Sequence, residues 1–386
     1  MRTPLNTRRI LLELFDAALR AVDGRSCVEH ALRDFGDGPV AVFAIGKAAS
    51  AMARGADAAL GRRIAQMLVI TKDGHVDPQL ARLPGVAILE SAHPVPDERS
   101  LAAGAELERR VGDLATGVRP LFLVSGGSSS LVERLVDGIS LDQLRALNSQ
   151  GLRAGWDIAR LNAERRKLSR LKGGGVARLL GDRPAVALFI SDVPGDDPDV
   201  IGSGLLGAAP AGDRIQRIVI ANIESAIHRT VEVAHAHGLQ LEMRARRLDG
   251  DAAQTARDFV DALRGTMADG LVWGGETTVE LPAHHGRGGR NTHIALNAAK
   301  LLRAGETLTI LAAGTDGTDG ASADAGAVID AGTLERAELG GCDVELALRE
   351  FDSGVALETS GDLLHTGPTG TNVGDLLIGL KTRRGR

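Results

Sequence analysis

The chain has 386 residues, 44 % hydrophobic but only 2 % aromatic and with no Tyr, so a sizeable core must come mostly from Ala, Leu, Val and Ile. With 49 Gly, that mix suits an α/β protein, and the length allows two domains. Lys+Arg 45 against Asp+Glu 50 gives a net charge of −5, with no long basic run before the terminal KTRRGR (381–386), which argues against nucleic acid as a partner. Cys27 and Cys342 are too few for a disulfide framework or a Cys-rich zinc site, as fits a reducing cytosol.

Arg8-Arg9 ahead of ILLELF superficially matches a twin-arginine export signal, but Glu13, Asp16 and Arg20 interrupt the apolar stretch. Ile10, Leu11, Leu14, Phe15 and Ala18 instead fall at helical spacing and predict an amphipathic helix, with Asn6 or Thr7 as its cap. No uninterrupted run approaches the ~18 apolar residues of a membrane span. The expectation is a soluble, cytoplasmic protein without a membrane partner.

Residues 39–60 read as strand, turn and helix, with Lys47 at the helix start beside N–H groups that favour anions. This is not a Walker A loop, because positions 41 and 48 are both Ala. Short strands are expected at 67–71 and 86–89, the second leading to His93 and Asp97. PLFLVSGGSSSLVERL (120–135) repeats the strand–loop–helix pattern, and its SGGSSS loop has the composition of a phosphate cradle. Residues 141–180 look helical, and the charge run NAERRKLSRLKGGG (162–175) reads as a solvated face. AVALFISDVPGDDPDVIGSG (185–204) is a third strand that opens into an acidic loop at Ser191-Asp192. Gly202-x-Gly204-x-x-Gly207 has dinucleotide spacing but neither follows that strand directly nor opens a helix.

A domain boundary is expected within AAPAGDR (208–214), with IVIAN (218–222) starting a new unit. That places an N-terminal domain at 1–212 and a C-terminal α/β domain at 213–386. GGETTVEL (274–281) alternates as a strand should, and GRGGRN (286–291) precedes a helix and carries Arg287 and Arg290, whose planar forks suit carboxylate or phosphate. His284-His285 lacks a second ligand cluster and reads as solvated. The apolar 308–313 opens into GTDGTDGASAD, which holds Asp316, Asp319 and Asp324. Of the three, Asp324 looks most like a simple turn cap. TGPTGTN (366–372) is a fifth polar loop, set before what reads as a helix. Five such loops suggest one cleft between two α/β domains. Anion cradles, cationic side chains and scattered aspartates, with no catalytic-triad spacing, point toward phosphoryl transfer.

The blocks AIGKAA (44–49), SAHPVPD (91–97), SGGSSSL (125–131), LSRLKGGG (168–175), SDVPGDDP (191–198), GGETTVEL, GRGGRN, AAGTDGTDG (312–320) and TGPTGTNV (366–373) resemble, in order, the class II glycerate 2-kinases of the MOFRL family. The resemblance implies a Rossmann-like N-terminal domain with a parallel sheet and a smaller C-terminal α/β domain. It implies ATP and Mg²⁺ or another divalent cation as cofactors, phosphorylation of the 2-hydroxyl of D-glycerate, and leaves a homodimer open. Carried over, it makes Lys47 and Asp192 catalytic, and puts Arg287, Arg290 and Asn222 at the substrate. It puts Ser125, Gly126, Gly127, Ser128, Ser129, Thr315, Asp316 and Asp319 at the nucleotide, and Asp192 and Asp316 at the metal. The chain departs from the family pattern in the short 204–214 segment, at Lys167 and at Thr292-His293. These departures leave the hydroxy acid open. A hydroxypyruvate reductase using NAD(P)H is an alternative that would need the missing dinucleotide fingerprint. A non-catalytic binding relative is another.

Overall fold

The computed structural model describes residues 4–154, 158–207, 214–244, 248–279, 282 and 285–381. The chain divides into two compact units. One comprises Asp23–Asn222 with Gly370–Asn372, the other Met1–Val22, Ile223–Thr369 and Val373–Arg386.

The first unit holds six strands, β1 (Val40–Ile45), β2 (Ile64–Lys72), β3 (Val86–Ser91), β4 (Arg119–Val124), β5 (Ala185–Ile190) and β6 (Ile215–Ala221). They form a sheet in the order β3-β2-β1-β4-β5-β6, every neighbour parallel. This is a Rossmann-like arrangement. VAVFAI and AVALFI lack alternation because β1 and β5 are buried along their whole length, as in a parallel sheet covered on both faces. Phe43 and Phe122 are register partners on β1 and β4, and their rings stack 5.0 Å apart within the core. The sheet grows one way through β2 and β3 and the other through β5 and β6, so a topological switch point lies between β1 and β4.

β6, expected to open the second domain, is instead the edge of this first sheet, paired in parallel with β5. The division by contacts therefore falls after Asn222 rather than at 212. Residues 208–213 of the expected boundary lie outside the described residues, as do His284 and residues 382–386.

The second unit contains β7 (Leu241–Met243), β8 (Gly270–Gly275), β9 (Leu308–Gly314), β10 (Gly326–Asp330), β11 (Leu363–Leu364) and β12 (Asp375–Lys381), in the order β11-β10-β9-β12-β8-β7. Only β7–β8 is parallel. Two readings are corrected here. Within GGETTVEL, β8 ends at Gly275 and residues 276–279 do not continue it as a strand, while residues 280 and 281 lie outside the described residues. The residues after TGPTGTN form β12, not a helix. A central strand buried on both faces shows a continuous apolar run, and DLLIGL has no periodicity to tell it from a helix.

The amphipathic helix is present as Pro4–Ala21, and it belongs to the second unit, where it packs on the helix Ile223–Ala236 and on β9 and β12. It starts early enough that Asn6 and Thr7 lie in its first turns rather than capping it. No helix among the described residues is long and apolar enough to cross a membrane.

Candidate active site

In the first unit, three strand ends converge. Lys47 follows β1, the Ser125-Gly126-Gly127 turn follows β4, and Asp192 follows β5. The first two turns interlock: Lys47 N donates to Gly126 O at 2.9 Å, and Ser125 Oγ accepts from Ala48 N at 3.0 Å. Gly46 has φ +130°, and a Cβ there would lie 2.2 Å from Ser125 Oγ. Ser125 is fully buried, so its hydroxyl fixes the turn that carries Lys47.

Gly126 sits against Asp192 and Asn372, since a Cβ on it would come within 2.0 Å of Asp192 Oδ2 and of Asn372 Nδ2. That amide donates to Asp192 Oδ2 at 3.0 Å. Asn372 comes from the TGPTGTN loop, which the sequence reading singled out without giving this residue a role. Gly127 is left-handed, φ +84°, and its bare Cα faces the Lys47 stem and the His93 ring, 3.1 and 3.2 Å from the place a Cβ would occupy. Asn222, expected at the substrate, donates to Asp196 Oδ2 at 2.6 Å.

The serines divide. Ser128 is fully buried, and its Oγ, without a hydrogen-bond partner among the described residues, faces Gly202. Ser129 pairs its hydroxyl with Ser203, whose backbone is held at φ +58°. Beside Ser129 and Ser130 opens a cavity of about 230 Å³, lined also by His93, Gly127, Asn148, Arg165 and Lys172.

Arg165 and Lys172 come from the run read as a solvated face, and that reading fails for both. Lys172 is fully buried and donates to Glu133 Oε2, while Glu133 Oε1 accepts from Ser169 Oγ at 2.5 Å and Arg134 N at 2.9 Å. Burial pushes the Lys172 ammonium below its ordinary range, and Glu133 opposes the shift. Arg165 Nε donates to Asn148 Oδ1 at 2.7 Å. The one sequence signal was Lys172 standing directly before three glycines. Gly175 there has no room for a Cβ, which would lie 2.0 Å from Arg170 O.

In the second unit, the expected ligand contacts are largely bound up internally. Asp319 is buried, and its carboxylate accepts from Asn291 N at 2.9 Å, Thr292 N at 2.8 Å and Thr292 Oγ1 at 2.8 Å. It thus caps the helix Arg290–Leu301, whose N-cap position is Gly289, which has no side chain to do so. A Cβ on Gly289 would sit 2.4 Å from Asp319 Oδ1. Thr315 is buried, with its hydroxyl between Gly374 O and Val373 N at 2.7 and 2.9 Å. Asp316 Oδ1 accepts from Thr318 N and Oγ1, closing the turn. Arg287 forks onto Asp324 at 2.8 and 3.0 Å and also pairs with Glu358, so the buried Asp324 is an ion-pair partner rather than a simple cap. Arg290 pairs with Glu276 and, at 3.3 Å, with Asp375. Asp375 is fully buried, and desolvation raises its carboxyl to about 7 against the pull of Arg290.

Among the described residues no group of three or more His, Cys, Asp and Glu could hold a metal, so Asp192 and Asp316 do not lie in one. Gly202 lies in a 3-10 turn packed on Ser128, so among the described residues the Gly202/Gly204/Gly207 spacing opens no helix, and the first strand–helix turn carries only Gly46.

A Rossmann-like unit with a lysine-bearing, glycine-lined turn at its switch point, joined to a second mixed-sheet unit, defines a two-unit α/β protein. Residues 10–234 match the model of a domain of unknown function, DUF4147, and residues 270–375 match the MOFRL family. The D-glycerate 2-kinase of Thermotoga maritima is 33 % identical over 419 residues, covering 98 % of this chain and 100 % of that protein. A protein of Agrobacterium vitis with the provisional name hydroxypyruvate reductase is 34 % identical over 415 residues, covering 96 % and 94 %. The crystal structure of glycerate kinase from Thermotoga maritima matches with a TM-score of 0.84 at 32 % identity, covering 97 % of this chain and 99 % of that one. The chain belongs to the class II glycerate 2-kinase (MOFRL) family.

Proposed function

We propose that this protein is an ATP-dependent glycerate kinase that transfers the γ-phosphoryl group to the 2-hydroxyl of D-glycerate, yielding 2-phosphoglycerate and ADP. The observation that carries the reading is the packing of Lys47, Gly126, Gly127 and Asp192 at the switch point of the parallel sheet, in a chain of this family. Phosphoryl transfer asks for charge neutralisation, close backbone approach and a base near the attacking hydroxyl. Lys47 supplies the positive charge. Gly126 and Gly127 offer backbone that a phosphate approaches without meeting a Cβ. Asp192 takes the proton of the 2-hydroxyl as its oxygen bonds to the γ-phosphorus and the bridging P–O bond to ADP breaks.

Mg²⁺, when bound with the nucleotide, neutralises charge on the β- and γ-phosphates. The described residues form no cage for it, so no step is assigned to a protein-held metal. In the second unit Arg290, with 30 % of its side chain exposed, remains the candidate for a phosphate contact. Arg287, Thr315 and Asp319 are assigned to holding that unit together.

The test mixes the protein with Mg·ATP and D-glycerate and follows two signals, ADP release and the phosphoenolpyruvate formed when enolase alone is added, the second of which only 2-phosphoglycerate gives. No ADP release would sink the reading, and NADH oxidation on adding hydroxypyruvate would replace it with the reductase.

A further inference from the structure

The expected carboxylate grips, Arg287 and Arg290, both have acidic partners of their own. The cavity beside Gly127 offers an arginine that, among the described residues, forms no ion pair of its own. Arg165 anchors its Nε on Asn148, and among the described residues its two Nη groups donate no hydrogen bond. The acid nearest in charge, Glu133, is already engaged by Lys172, Ser169 and the Arg134 amide. Among the described residues, the two cations of this pocket, Arg165 and Lys172, face one carboxylate. Its volume of about 230 Å³ lies below the roughly 300–1,000 Å³ typical of drug-sized ligands, so it suits a small acid and not a nucleotide. Ser129, Ser130, Asn148 and His93 add hydrogen-bonding groups for hydroxyls.

We infer that this cavity is the binding pocket for the carboxylate of a small 2-hydroxy acid, and that Arg165, oriented by Asn148, is the residue that reads it. The planar fork takes the two carboxylate oxygens side by side. The hydroxyl-bearing carbon then points toward Gly127, past which the Lys47 stem runs. Lys172, held by Glu133 behind it, lines the buried side of the pocket. The inference rests on the kinase reading for the identity of the acid, but the pocket itself does not depend on phosphoryl transfer.

The experiment is calorimetric titration of the full chain, without nucleotide, with D-glycerate and with its neutral amide, glyceramide. Wild type should bind glycerate at least roughly 10-fold more tightly than the amide. Arg165→Gln should weaken glycerate by roughly 10- to 100-fold and leave the amide unchanged, as expected for loss of a charge-assisted pair. Arg165→Lys should fall between. Asn148→Ala, which keeps the guanidinium but frees it to turn, should cost a few-fold and decides the matter if Arg165→Gln lowers the unfolding temperature. Glycerate affinity equal to wild type in Arg165→Gln, or in Asn148→Ala where that variant decides, overturns the inference. ADP release measured in parallel separates the two ideas. Turnover with an unchanged glycerate KM in Arg165→Gln removes the pocket and leaves the kinase, whereas Arg165-dependent binding without ADP release removes the kinase and leaves the pocket.

Discussion

Asn372 holds Asp192 by a hydrogen bond of 3.0 Å from its side-chain amide to Oδ2. A neutral donor fixes the orientation of a carboxylate without adding a charge, and the half-buried Asp192 is thereby held against the bare Cα of Gly126. Asp192→Asn is predicted to lower kcat by about 10²- to 10⁴-fold, the usual range for a positioned base. Asn372→Ala should lower it by less, with the thermal midpoint of both variants near wild type. Unchanged kcat in Asn372→Ala would make that residue scaffolding.

Gly126→Ala probes the same contact from the other side. A Cβ there has no room, because it would sit 2.0 Å from Asp192 Oδ2 and Asn372 Nδ2, so the pair must move apart. The prediction is a loss of activity at least as large as that of Asn372→Ala, with circular dichroism unchanged. Full activity in this variant would show that the separation of these groups does not matter.

Asp319 stands in for the cap that Gly289 lacks. Asp319→Ala strands two buried helix N–H groups and is predicted to destabilise the protein by about 1–3 kcal/mol in urea unfolding at neutral pH. Asp319→Asn keeps one acceptor and should cost less. Stability equal to wild type in Asp319→Ala would return Asp319 to the list of ligand contacts.

Asp375 titrates with a sign opposite to that of a salt-bridged surface acid. Its folded value of about 7 lies above the unfolded value of about 3.9, so the folded chain holds the extra proton between them. The stability this group contributes is fully present below about pH 4 and is lost as pH rises through about 7. Asp375→Asn should flatten the fall in unfolding temperature between about pH 4 and about pH 7. An unaltered pH slope in the variant would assign the dependence to other groups.

Lys172 and Glu133 form a buried pair whose members cannot be removed singly without cost. Lys172→Met leaves Glu133 buried without its cation and is predicted to cost about 3–5 kcal/mol. The double change with Glu133→Met should recover part of that loss in the same unfolding measurement. A double variant as unstable as the sum of its parts would mean the two residues act separately.

The sequence by itself determined the parallel strands and the loops that end them. β1 and β5 are uninterrupted apolar runs and β4 is apolar from Pro120 on, each opening into a glycine- or polar-rich turn, and that local pattern located Lys47, Ser125 and Asp192. The family resemblance followed from the same blocks. Only the tertiary structure decided that Asn372, 180 positions from Asp192, reaches it, and that Arg165 and Lys172 line a cavity rather than a solvated face. It also decided that Thr315 and Asp319 serve their own unit and that β6 closes the first sheet. The physical reason is common to all of these. Local periodicity reports which face of a segment is apolar, whereas pairing, burial and the partner of each polar group are set by segments distant in the chain.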